Sequence, residues 1–195
     1  MTYLIHLVLI IQRIEPVWKF TVVAFFLFVS VINTFLFIKR KNRLGAAVIN
    51  SVFLTYVFLV LVFTILSRES NYFLKYDLNI IIHYYRIFLG DFPYVLELLK
   101  NLFLFFPFGL LFPLFLYYNS KWFTYYKRLT ILSASIFSFI IEATQLVSGQ
   151  GVFELSDLLN NTLGAVFGLT LFMALLFLYT KIHRLLMKSN YHGKL

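Results

Sequence analysis

Between Ile140 and Gly168 a chain dominated by Phe, Leu, Ile and Val gathers Glu142, Gln145, Gln150, Glu154, Asp157, Asn160 and Asn161, together with four of its 8 glycines. Carboxylates at membrane depth cost about 2.5–3.5 kcal/mol each if left in hydrocarbon, so their presence is a functional signal by default. Such a group must be protonated, paired with a cation, or open to water. The chemistry on offer is proton transfer, with Glu142 as general acid or base and Asp157 orienting it. Asn101, Gln145, Gln150, Asn160 and Asn161 are hydrogen-bonding groups for a substrate, and Arg68, Arg86 and Lys100 are candidate counter-ions or anion contacts.

Spacing places these residues on common helix faces. Ser135, Ser138, Glu142 and Gln145 recur at three, four and three residues, one face of a helix. Asp157, Asn161, Gly164 and Gly168 do the same at four, three and four, and Gly164-x-x-x-Gly168 is a pattern that lets two helix backbones approach closely. Glu97, Lys100, Asn101 and Leu104 share a third face, just ahead of Pro107. At about 1.5 Å of rise per residue, Glu142 lies roughly 8 Å inside the end of its helix, and Asn101 and Asn161 lie at similar depths. The expectation is a polar cavity walled by three helices and floored by a kink at Pro107.

The elements that carry these faces are membrane spans. The chain has 195 residues, is 61% hydrophobic and 13% charged, and has a mean hydropathy of +0.86, whereas a soluble domain carries about 25% charged residues. Apolar runs of about 20 residues recur without period-two alternation, which predicts an all-α polytopic helix bundle and excludes a transmembrane barrel. Five spans are expected: 17–38, 44–66, 95–118 (broken by Pro107 and Pro113), 129–147 and 158–179. Residues 3–14 are apolar but too short to cross and are followed by Glu15-Pro16 rather than a cleavage site, so the N-terminal segment 1–16 is expected at the interface. The Tyr-, Ile- and Arg-containing interval 67–94 is expected at the headgroup level. Residues 17–180 make up the membrane domain, and 181–195 a basic tail.

The net charge is +9. Its basic residues cap the apolar runs, so it orients the chain and does not call for nucleic acid. Lys39, Arg40, Lys41, Arg43, Lys121, Lys127, Arg128, Lys181, Arg184, Lys188 and Lys194 fall on one side, 11 of the 17 basic residues. That side is cytoplasmic, which puts the C-terminus inside, the N-terminus outside, and all 8 acidic residues in the outer half. Zero Cys excludes disulfides, thiolate metal sites and a cysteine nucleophile. His6, His83, His183 and His192 show no ligand spacing, and no P-loop or Ser-His pattern appears, so neither metal nor cofactor is expected.

Three blocks carry a resemblance: Asn101 to Gly109 with Pro107, Ile141-Glu142-Ala143-Thr144-Gln145, and Gly151 to Gly164 with Asp157 and Asn160. With Leu66-Ser67-Arg68 and Asn79 to Arg86 upstream, residues 44–179 resemble the VanZ-like family of bacterial integral membrane proteins. The resemblance implies a multi-pass protein of the bacterial cytoplasmic membrane. It also implies a part in cell-envelope function and lowered susceptibility to glycopeptide antibiotics such as teicoplanin. In that family a basic residue usually precedes the Gly-Val-Phe-like run, where this chain has Gln150. The corresponding cation is then absent here or supplied by Arg68, Arg86 or Lys100. Implied partners are the bilayer and a lipid-linked envelope precursor or a glycopeptide. A membrane-embedded enzyme acting through Glu142 and Asp157 on a lipid-linked substrate is the alternative. A small transporter is a second one, disfavoured because the inner halves of the spans carry few polar residues.

Overall fold

A computed structural model describes residues 24, 28–29, 31–32, 44–66, 75–149 and 151–192. The fold is all-α, with a minor two-stranded addition. Helix α1 (Leu44–Leu61) runs into a π-helical turn, Val62–Leu66. Strand β1 (Lys75–Asp77) precedes the short helix α2 (Ile80–Phe88) and the long helix α3 (Phe92–Asn119). A 3-10 turn, Lys121–Tyr125, leads to α4 (Tyr126–Ser148), then strand β2 (Val152–Glu154) and α5 (Leu155–His192). Among the described residues, four stretches are long and apolar enough to cross a membrane: 44–65, 92–119, 121–148 and 155–187. The expected span 17–38 falls mostly outside the described residues; Ala24, Phe28, Val29, Val31 and Ile32 are helical. The expected interfacial segment 1–16 lies wholly outside them.

Two compact units make up the chain, one of residues 1–76 and 141–153 and the other of 77–140 and 154–195. In the first, Thr64 Oγ1 donates back to the Val60 carbonyl at 2.7 Å in the π turn. Gln145 Nε2 donates to the Thr64 carbonyl at 2.9 Å, a buried bond between residues 81 positions apart. In low dielectric such a contact removes the penalty of an unmade amide donor.

The second unit is organised by the approach of α3 and α5. A side chain at Gly164 would collide with the Leu102 backbone, one at Gly168 with the Phe106 carbonyl, and one at Gly109 with the Ala165 carbonyl and the Leu169 amide. The contacts rise together in both helices, from Leu102 and Gly164 to Phe106 and Gly168, so α3 and α5 run parallel. Lipid supplies no hydrophobic force to hold helices together, and close backbone packing takes its place. The 126–140 part of α4 runs antiparallel to α5, since Ser138 meets Asn161 while Tyr126 meets Phe172. Phe108 of α3 stacks on Phe137 of α4 at a centroid distance of 5.9 Å, and Phe105 meets the same ring at a tilt, 5.7 Å away.

Several boundaries differ from expectation. Pro107 and Pro113 do not break α3, which is helical through both. Each proline costs one backbone hydrogen bond, and in a bundle the packing on either side holds the flanking turns in place. The basic segment that begins at 181 is helical as far as His192, where α5 ends. The paired strands β1 and β2, three residues each, are too short to leave a periodic signal. Helix α2 is inside out for a soluble helix: His83 is buried, while Ile81, Ile82, Tyr85 and Phe88 are exposed. That pattern suits a helix at the membrane interface, its apolar side chains turned to lipid.

Replacing Gly168 with Ile forces α3 and α5 apart. We expect a loss of about 1–3 kcal/mol of stability, read as a lowered melting temperature of the detergent-solubilised protein by size-exclusion fluorescence. Leu171→Ile, at an exposed position of the same helix, should leave that temperature unchanged.

Candidate functional site

The parallel packing of α3 and α5 brings their N-terminal ends side by side, and the polar residues cluster there. Asn101 Nδ2 donates to Asp157 Oδ1 at 2.6 Å. Asp157 lies in the first turn of α5, where the free backbone N–H groups and the helix dipole favour a negative charge. Asn160 is completely buried, and its Oδ1 accepts from the Tyr84 hydroxyl of α2 at 2.7 Å. Burial pushes the Tyr84 phenol above its ordinary range, and the nearby Asp157 charge adds to the effect, so the hydroxyl stays a donor at neutral pH. Asn161 Nδ2 donates to Ser138 Oγ at 2.9 Å, and Ser135 and Thr162 share a hydrogen bond at 3.2 Å one turn away.

Two atoms of this set are left over. Among the described residues, neither Asn160 Nδ2 nor Asn161 Oδ1 has a hydrogen-bond partner, although both are buried. An unmade bond of this kind costs about 1–3 kcal/mol, so the pair offers one donor and one acceptor to whatever enters. Reversing either amide does not remove the deficit, because Tyr84 and Ser138 would then meet the other end of the same group.

The remaining candidates take other places. Glu142 is 2% exposed and Gln145 1%; both belong to the unit of residues 1–76 and 141–153, while Asn101, Asp157, Asn160 and Asn161 belong to the other. Arg86 pairs with Asp91 at 3.1 Å on the surface and lies over the Tyr94 ring at 5.6 Å. Arg86 stands in the last turn of α2 and Asp91 is the N-cap residue of α3, so the pair closes the short link between the two helices. Lys100 is exposed. Arg68 and Gln150 lie outside the described residues. Pro107 is half-buried on α3, and Gly109, Gly164 and Gly168 form the backbone contact already described.

Tyr84 is the participant that spacing did not reveal. It comes from the short helix between spans, in a Tyr-rich segment that reads as an interfacial belt. Only its position beside the single buried residue of α2, His83, distinguishes it.

A family model described as VanZ/LLP1 matches residues 25–178, well over half of the chain. The chain belongs to the VanZ/LLP1 family. The match covers all four apolar helices down to residue 178 and every residue of the polar cluster. Searches of the curated proteins and of the solved structures returned no match. This VanZ-like chain is thus a membrane protein whose buried amide cluster lies between the glycine contacts of α3 and α5 and the short helix α2.

Because Asn101 and Asp157 bond side chain to side chain, truncating both should cost less than the sum of the single truncations. A double-mutant cycle of Asn101→Ala and Asp157→Ala in detergent is expected to give a coupling of about 0.6–1.7 kcal/mol. Additive effects would mean that the hydrogen bond adds no stability.

Proposed function

We propose that this VanZ-like protein binds a cell-envelope component at the outer face of the cytoplasmic membrane and thereby lowers susceptibility to glycopeptide antibiotics such as teicoplanin. The observation that carries this proposal is the pair of orphaned amide atoms on Asn160 and Asn161, both buried at the N-terminal end of a membrane-spanning helix. Together they suit a ligand that presents an acceptor and a donor side by side, as the amide-rich head of a lipid-linked envelope precursor does. Tyr84 and Ser138 hold the two amides in place from either side, so little ordering remains to be done when the ligand arrives. Family membership supports the envelope setting, and the basic residues in and around the 3-10 turn, Lys121, Lys127 and Arg128, support an inward placement of the opposite helix ends.

A membrane-embedded enzyme acting on the same class of substrate is a second proposal. It is supported by the burial of two carboxylates, Glu142 at 2% and Asp157 at 9% relative exposure, which hydrocarbon excludes unless they are used or compensated.

Expression in a susceptible host should raise the inhibitory concentration of teicoplanin, and Asn160→Leu should abolish that gain while the protein still accumulates in the membrane. No change on expression counts against the envelope role. If Glu142→Gln or Asp157→Asn accumulates normally and retains full protection, the enzymatic alternative fails. Orientation can be tested directly, because the chain has no native cysteine. In intact cells, Tyr76→Cys, at an exposed position of β1, should react with a membrane-impermeant maleimide, and Trp122→Cys should not. The reverse labelling would invert the topology.

A further inference from the structure

Three ligand-type side chains from three elements converge beside the amide cluster. They are His83 of α2, Glu97 of α3 and Glu154 at the end of β2, and one ligand atom from each lies within 4.8 Å of the others. His83 is 4% exposed, and among the described residues its Nε2 has no hydrogen-bond partner. A buried ring nitrogen without a partner carries the same kind of penalty as the orphaned amides, and the imidazole that bears it has a ring nitrogen within 4.8 Å of two half-buried carboxylates. The ring is held edge-on by two tyrosines, Tyr84 at 5.8 Å and Tyr94 at 5.2 Å between centroids. A helix, a second helix and a strand thus each spend a polar residue on one small volume.

We propose that His83, Glu97 and Glu154 form a binding site for a divalent transition-metal cation, zinc or manganese. One imidazole nitrogen and two carboxylates are a borderline-to-hard donor set, suited to these ions and unsuited to the soft cations that thiolates select. Two carboxylate charges balance the double positive charge of the ion, so the filled site is neutral where an unpaired charge would be costly. Three atoms within 4.8 Å of one another all lie within about 2.8 Å of a common point, and small side-chain rotations close that to the roughly 2.0–2.2 Å of zinc–nitrogen and zinc–oxygen bonds. Three protein ligands leave a fourth position open for water or a ligand oxygen, the arrangement of reactive rather than structural zinc sites. Glu97 lies one turn before Asn101 on α3, and Glu154 lies three residues before Asp157. The ion would therefore sit at the same end of these two helices as the Asn101–Asp157 pair. This site stands on its own ligands and does not depend on the envelope role proposed above.

The test uses the full chain in detergent, stripped with a chelator and titrated with zinc and with manganese by calorimetry, with cobalt(II) as a spectroscopic probe. One ion should bind per chain, and cobalt should show visible d–d absorption. Glu97→Gln and Glu154→Gln keep the size of each side chain and should each weaken binding at least tenfold. His83→Ala should abolish it. A wild-type chain that takes up no ion overturns the proposal. So does binding unchanged in both glutamine variants, which would place the ion on other groups. Because the wild-type measurement and the two isosteric variants decide the matter, poor folding of His83→Ala leaves the test intact.

Discussion

Backbone contact between α3 and α5 is the constraint on which the second unit depends. Gly109, Gly164 and Gly168 let two parallel helices meet main chain to main chain, and in a bilayer that close packing replaces the hydrophobic drive that water would provide. It also has a geometric consequence. Parallel helices in register present their N-terminal ends together, so residues more than fifty positions apart, Asn101 and Asp157, reach hydrogen-bonding distance. A side chain at any of the three glycines separates the helices and takes the polar cluster apart with them.

The cluster then shows an imbalance. Asn101–Asp157, Tyr84–Asn160 and Ser138–Asn161 each satisfy one polar group with another. Folding alone could have stopped with apolar residues at these places, since replacing a buried polar network by well-packed apolar groups is often neutral or stabilising. Instead, among the described residues, Asn160 Nδ2, Asn161 Oδ1 and His83 Nε2 retain unused hydrogen-bonding capacity. Each unmade bond of this kind costs about 1–3 kcal/mol, which folding alone does not explain.

Polarity in this chain is divided by purpose. Arg86 and Asp91 pair at the surface, where an ion pair contributes up to about 1 kcal/mol. Helix α2 turns its aliphatic and aromatic side chains outward and its histidine inward, a pattern that suits an interfacial helix, and its Tyr84 reaches Asn160 of the cluster. The buried Glu142 and Gln145 belong to the other unit, where Gln145 ties the end of α4 to the π turn after α1.

The sequence by itself determined the class of the molecule. Apolar runs of spanning length, a Gly-x-x-x-Gly pattern and basic residues gathered at the ends of the apolar runs follow from the energetics of hydrocarbon, and those act on every residue locally. It also singled out Asp157, Asn101, Asn160 and Asn161, because polar residues stand out against an apolar background. Tertiary structure decided their partners. Tyr84, His83 and Glu154 come from segments whose local pattern reads as interface or loop, Glu97 comes from the start of a span, and only the parallel approach of α3 and α5 beneath α2 brings them together. The uninterrupted passage of α3 through two prolines and the extension of α5 to His192 were decided in the same way. Local propensity penalises a proline wherever it stands, but whether a helix continues depends on what packs against it.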